Sequence, residues 1–316
     1  MAAPTYNDAM AEALERLSTV GYEHGTRTLV NHAPMAAEAL AHMGYTEAVS
    51  PWLDRTLTRH AYHEAPEPRW RLSPDDPAEW RAALGDFSRV GDWTALFARR
   101  LEEEPWRDVL ALWWPRLIPG VLSMLGHGVI RTAHAVRALE RAGEDDRLQR
   151  GELAHGLGYW AARYQAGPDA TGGAATEEAG DAMEALDRLT ADNAGVYATA
   201  RPRFPVPLVH AVTTPAAVRL VSAHVPARQR WPSYLATAEA TRVMRSTFAA
   251  GPATTRPEPL PDAPSAAEAF ATAVEIGDEH AIKLAEVAVR LDSRAPDHRY
   301  AAASHTANRA IARFTR

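Results

Sequence analysis

Cysteine is missing from all 316 residues. Disulfides, thiolate-held zinc, iron–sulfur clusters and cysteine nucleophiles are thereby excluded. Lysine is almost missing too: of 34 basic residues a single one is Lys, at position 283, and the others are Arg. No run reaches the roughly 18 apolar residues that a membrane span needs. The opening segment MAAPTYNDAMAEALERL carries acids early and has no unbroken apolar stretch, unlike a signal peptide. No basic stripe of the kind nucleic-acid binders show is visible, and the net charge of -6 is spread along the chain. No glycine-rich phosphate loop follows a strand, and neither a GxSxG elbow nor an HExxH pair occurs. These absences predict a cytoplasmic protein that engages neither membrane nor nucleic acid.

What is present has ordinary globular proportions, with 46% hydrophobic and 23% charged residues. The length suits about two domains or one large helical one. Apolar residues recur at helical spacing nearly throughout. The pattern predicts helices over about 7–18, 34–43, 46–59, 77–84, two around Pro105, 121–141, 148–165, 177–191, 207–223, 233–249, 265–291 and 297–314. No alternating run bounded by hairpin turns marks a strand. The expected fold is all-α: a single compact multi-helix domain over 1–316 with a central metal-binding cavity and flexible surface segments near 167–176 and 251–264.

Chemistry is carried by thirteen histidines and the lone lysine. A neutral imidazole is the commonest metal ligand, although most histidines in any chain are packed or solvated. In HGVIRTAH, His127, Arg131 and His134 share one helix face. Gly126 and Gly128 flank His127; glycine disfavours a helix, so a close approach of another group is expected there. His280 and Lys283 lie three apart in GDEHAIKLAEV and face the same way. A surface pair between Lys283 and Glu279 is the bland reading, but Arg would serve it equally well. A role that needs Lys is favoured, because Lys can lose its proton and react whereas Arg cannot. His32, in NHAPMAAEAL, either caps the helix that Pro34 opens or points into a cavity at its end. His210 sits in the apolar run PLVHAVTTPAAVRL and is expected to be buried with a hydrogen-bond or metal partner. His60 and His63 read as surface residues in a Pro-bounded stretch. One Glu-x-x-His, Glu152 to His155, is too few for a di-iron bundle, which needs two. Trp113, Trp114 and Trp160 would line an aromatic pocket or, as tryptophans more commonly do, fill the core.

The segments NHAPMAAEALAHMGY, HGVIRTAHAVRAL, VHAVTTPAAVRL and HAIKLAEV, in that order, resemble the questin oxidase-like family, with ALGDFSRVGDW and GYWAARYQ similar to its bacterial branch. The resemblance runs from about residue 22 to 312. It implies an oxygenase of aromatic polyketide rings, anthraquinone- or hydroquinone-like, with a mononuclear non-haem iron held by histidines and a lysine. Carried over residue by residue, the ligands are His32, His127, His210, His280 and Lys283. The fungal central motif reads roughly His-Pro-Leu-Ile-His. Here Arg131 stands at the second histidine, and His134 beyond it is either a substitute ligand or a neighbour of the ligands. Arg131 and His134 are therefore the candidate catalytic pair.

The expected cofactor is Fe(II) with O2 as co-substrate, and a CO2-derived carbamate on Lys283 would supply an anionic oxygen ligand beside the imidazoles, which suit iron. The partner is a small aromatic substrate, and the outcome is ring oxidation or C–C cleavage in secondary metabolism. Two other readings compete. One is a metal-independent, Baeyer–Villiger-like oxidase using the histidines as bases. The other is a non-catalytic helical protein that binds a hydrophobic metabolite.

Overall fold

The computed structural model describes every residue except 1, 27–28, 144–145, 168–179, 201, 203, 250, 252, 259–263 and 315–316. The fold is all-α, 73% helical, with fourteen α-helices among the described residues. The chain falls into two compact units: Met1–Thr171 with Ala223–Gln229, and Gly172–Ser222 with Arg230–Arg316. Most of the expected flexible segment at 167–176, and part of that at 251–264, lie outside the described residues. No helix among the described residues is long and apolar enough to cross a membrane.

The first unit contains α1 (Tyr6–Leu17), α2 (Ala33–His42), α3 (Thr46–Arg59), α4 (Pro77–Ala83), α5 (Val90–Glu103), α6 (Trp106–Leu117), α7 (His127–Ala142) and α8 (Arg147–Ala162). Local chemistry sets the helix starts. Thr5 and Asp8 form a reciprocal capping box at α1, and Asp76 accepts from the backbone N–H groups of Ala78 and Glu79 ahead of Pro77. α8 packs against both α5 and α7, while α2 packs against α1, α3 and α7. Its core is strongly aromatic. Trp93, Phe97 and Trp80 surround Trp113 at centroid distances of 5.5, 5.1 and 5.6 Å, and Trp114 meets Trp160 edge-on at 5.4 Å. The tryptophans named in the sequence as pocket candidates are thus buried packing residues.

Strands were not expected, yet a three-stranded antiparallel sheet is present, with β1 (Val20–His24) between β2 (Leu29–Val30) and β3 (Tyr62–Glu64). Strands of five, two and three residues are too short to show a period-two pattern in sequence.

The second unit contains α9 (Ala182–Thr199), α10 (Pro205–Val221), α11 (Arg230–Phe248), α12 (Ala266–Ile276), α13 (Glu279–Arg294) and α14 (His298–Ile311). α10 is apolar nearly all round and packs on α9, α11, α13 and α14, as a fully surrounded helix must. Three expected boundaries need correction. The helix expected over 177–191 is α9, which runs on to Thr199. The span 265–291 is two helices, because Gly277 ends α12 in the left-handed region at φ 73° and Asp278 caps α13. The span 121–141 does not begin as an α-helix. Two 3₁₀ turns cover Ile118–Gly120 and Ser123–Gly126, and α7 starts only at His127.

Candidate metal centre

In the first unit, α2 and α7 each bring a histidine to their N-terminal end. His32 occupies the N-cap position of α2, and His127 is the first residue of α7. Neither caps by its side chain; both rings are turned inward and buried. Asn31 performs the local work instead, its side chain accepting from the Ala33 N–H at 2.9 Å and donating to the Gly21 carbonyl at 2.9 Å. The two Nε2 atoms face each other at 2.8 Å, with the rings tilted by 50°. Two nitrogens each about 2.0–2.1 Å from one ion, at right angles, stand about 2.9 Å apart. The observed spacing fits neighbouring ligands of one ion and equally an N–H···N hydrogen bond between the two rings. Each ring sits at a helix N-terminus.

The glycines around His127 explain the approach. Gly126 holds φ 83°, a conformation that side chains disfavour. At Gly128 an added Cβ would stand 2.6 Å from the Trp160 side chain, so α8 closes on α7 through the space a side chain would fill.

Further along α7 the candidate catalytic residues are engaged in buried ion pairs. Arg131 donates from Nε and Nη2 to the two Glu152 oxygens at 2.6 and 2.8 Å. The His134 Nδ1 is 2.7 Å from Glu38 Oε2, and Glu38 also accepts from Arg137 and from the Tyr6 hydroxyl. Burial alone would push both carboxyls up. Arg137 and His134 outweigh it at Glu38, and Arg131 outweighs it at Glu152, so both are held at about 2. These contacts bind α7 to α2 and α8. Glu38 was not singled out from the sequence, although an acid within the apolar stretch MAAEALA signals a buried carboxylate.

In the second unit, His210 lies deep within α10 and His280 in the first turn of α13. Both are buried, and their rings meet edge-on with centroids 5.4 Å apart. His280 Nδ1 is 3.4 Å from the Asp278 carboxylate and 3.8 Å from that of Glu279. Burial would raise the Asp278 carboxyl, but its contacts with the His280 side chain and with the cap N–H groups of His280 and Ala281 hold it below the usual range. A carboxylate behind a histidine fixes the ring and raises its basicity towards a metal.

Lys283 follows one turn later on α13 and is 1% exposed. The lysine that sequence spacing allowed on the surface is instead buried. Burial pushes the ammonium down to about 8, against the opposing pull of Glu279 and Asp278. His32, His127 and His280 each present a buried ring nitrogen able to hold a metal ion.

The remaining histidines are elsewhere. His60 is partly buried, with its ring 4.2 Å from that of His24, and His63 is exposed. His155 Nδ1 is 3.7 Å from Glu152, which already carries Arg131, so this Glu-x-x-His serves an ion pair.

No protein-family model matches the chain, and no curated protein matches it.

Proposed function

We propose that the protein is a non-haem iron-dependent oxygenase of an aromatic, anthraquinone- or hydroquinone-like polyketide, with His32, His127, His210, His280 and a carboxylated Lys283 as ligands of one ion. The observation that carries the proposal is the 2.8 Å approach of two buried Nε2 atoms. Such an approach leaves at most one proton between them and suits a shared cation. The motif resemblance and the burial of the chain's one lysine support it.

Iron(II) so ligated supplies activation of O2 towards an electron-rich ring. The protein residues prepare its site. Unprotonated Lys283 Nζ adds to the carbon of CO2: the N–C bond forms as one C=O π bond gives its electron pair to oxygen, and the nitrogen releases a proton to water, leaving an anionic carbamate. A buried amine depressed to about 8 reaches the reactive form far more readily than an exposed one. Asp278 orients His280. Arg131 and His134, through Glu152 and Glu38, keep α7 in place so that His127 does not turn away.

The test is metal analysis and O2 uptake with a hydroxylated anthraquinone, on protein made in iron-supplemented medium. One iron per chain is expected, with a carbamate carbon signal after exposure to 13C-labelled CO2. His32→Ala and His210→Ala should each lose the iron, and Lys283→Ala should lose iron and oxygen uptake without rescue by Lys283→Arg. A folded protein that takes up no metal overturns the proposal, and full activity of Lys283→Arg overturns the carbamate.

A further inference from the structure

Met124 and Leu125 are the two described non-glycine residues with positive φ, at 48° and 56°, and Gly126 continues the same left-handed turn at 83°. Left-handed conformations are uncommon for residues with a Cβ, and paired occurrences persist only where the surroundings over-determine them. Neither residue is of a type favoured there, since Asn and Asp are the usual non-glycine occupants.

The surroundings are built for the purpose. The Trp160 indole N–H donates to the Gly120 carbonyl at 3.2 Å. The Gly167 N–H donates to the Pro119 carbonyl at 2.9 Å. The Ser123 hydroxyl accepts from the Gln165 N–H at 2.7 Å and donates to the Gln165 carbonyl at 3.2 Å. The end of α8 and the residues after it thus clamp the segment that leads into α7.

The turn has one chemical consequence. It brings the Met124 carbonyl back onto Nδ1 of His127. A carbonyl only accepts, so Nδ1 carries the proton, and in a neutral ring Nε2 keeps its lone pair. That Nε2 is the atom facing His32. The geometry points to a positioning role for the left-handed Met124–Leu125–Gly126 turn: its carbonyl locks His127 in the Nδ1–H tautomer and aims Nε2 as a ready ligand. The inference deepens the proposed function and rests on it for the identity of the metal, but the tautomer itself is a property of the metal-free chain.

The experiment is long-range 15N–1H NMR of histidine-labelled, metal-free protein above the titration range of the ring, paired with titration of Fe(II) and, as a redox-inert probe, Zn(II). His127 is expected as the Nδ1–H tautomer. Leu125→Val places a β-branched residue where φ is positive and should shift His127 towards a tautomer mixture, with about a 10- to 100-fold weaker metal affinity. Leu125→Gly tolerates the turn and should keep both the tautomer and the affinity, which separates the turn's geometry from simple loss of the leucine side chain. If Leu125→Val does not fold, Met124→Gly and Leu125→Gly still test the point: both must retain the Nδ1–H signal. An Nε2–H ring in the unaltered protein, or a Leu125→Val protein with unchanged tautomer and affinity, overturns the inference. A locked Nδ1–H tautomer in a chain that binds no metal overturns the proposed function and leaves this one standing.

Discussion

At the scale of single residues, the site depends on what is left out as much as on what is placed. Gly128 lets α8 close on α7, and Gly128→Ala brings a Cβ to 2.6 Å from the Trp160 side chain. Overpacking of that kind costs about 1–3 kcal/mol, to be seen as a lower urea midpoint at unchanged m-value. Glu38 shows the opposite dependence. It is buried and tolerated because Arg137, His134 and Tyr6 surround it. Arg137→Ala removes the principal counter-charge and should destabilise the fold by about 3–5 kcal/mol. Denaturation that left stability within 1 kcal/mol of the parent, as roughly expected for a surface change, would contradict this picture. The sequence flagged the face of α7 that carries Arg131 and His134, but not their partners. Glu38 and Glu152 are far away along the chain, and no local spacing links them.

At the scale of elements, helix existence was legible and helix interruption was not. The predicted helices at 7–18, 46–59 and 297–314 match α1, α3 and α14 within a few residues, because amphipathic periodicity and capping residues are local. The long predictions at 121–141 and 265–291 failed, because a single helical period continues through each break. Both breaks place a candidate ligand in a first helical turn, His127 in one case and His280 in the other. The Gly277–Asp278 pair, a left-handed stop followed by an N-cap, was a readable signal. Asp278→Ala should cost about 1 kcal/mol as a lost cap, visible as a lowered melting temperature. Because Asp278 also faces His280 Nδ1, the same variant should bind metal more weakly, whereas Asp278→Asn should restore most of the stability without the affinity.

At the scale of the whole molecule, the chain leaves and re-enters its first unit. Residues 223–229 return to it, with Gln229 Nε2 donating to the Ala111 carbonyl at 3.0 Å and the His224 ring 5.2 Å from that of Trp106. Acid stability is set within the same unit. Glu38 and Glu152 are held at about 2 in the folded protein against an ordinary 4.5. Depressed carboxyls stabilise fully above the unfolded value, and the contribution is lost as pH falls towards the folded one. The near-ultraviolet signal of the buried tryptophans should therefore weaken between about pH 4.5 and 2, and Arg137→Ala should move that loss to higher pH. A signal unchanged down to pH 2 would show that these pairs do not support the unit.

The sequence by itself determined the helical class, the absence of thiol chemistry, and the short list of histidines with one lysine from which the proposed ligands are drawn. Those are matters of composition and of periodicity over a few turns. The tertiary structure decided which nitrogens meet, that the lysine is buried, and that the candidate catalytic Arg and His hold carboxylates. Pairing across 95 residues, as between His32 and His127, is set by which helix faces pack together, and burial by the sum of those contacts; neither is encoded within any one segment.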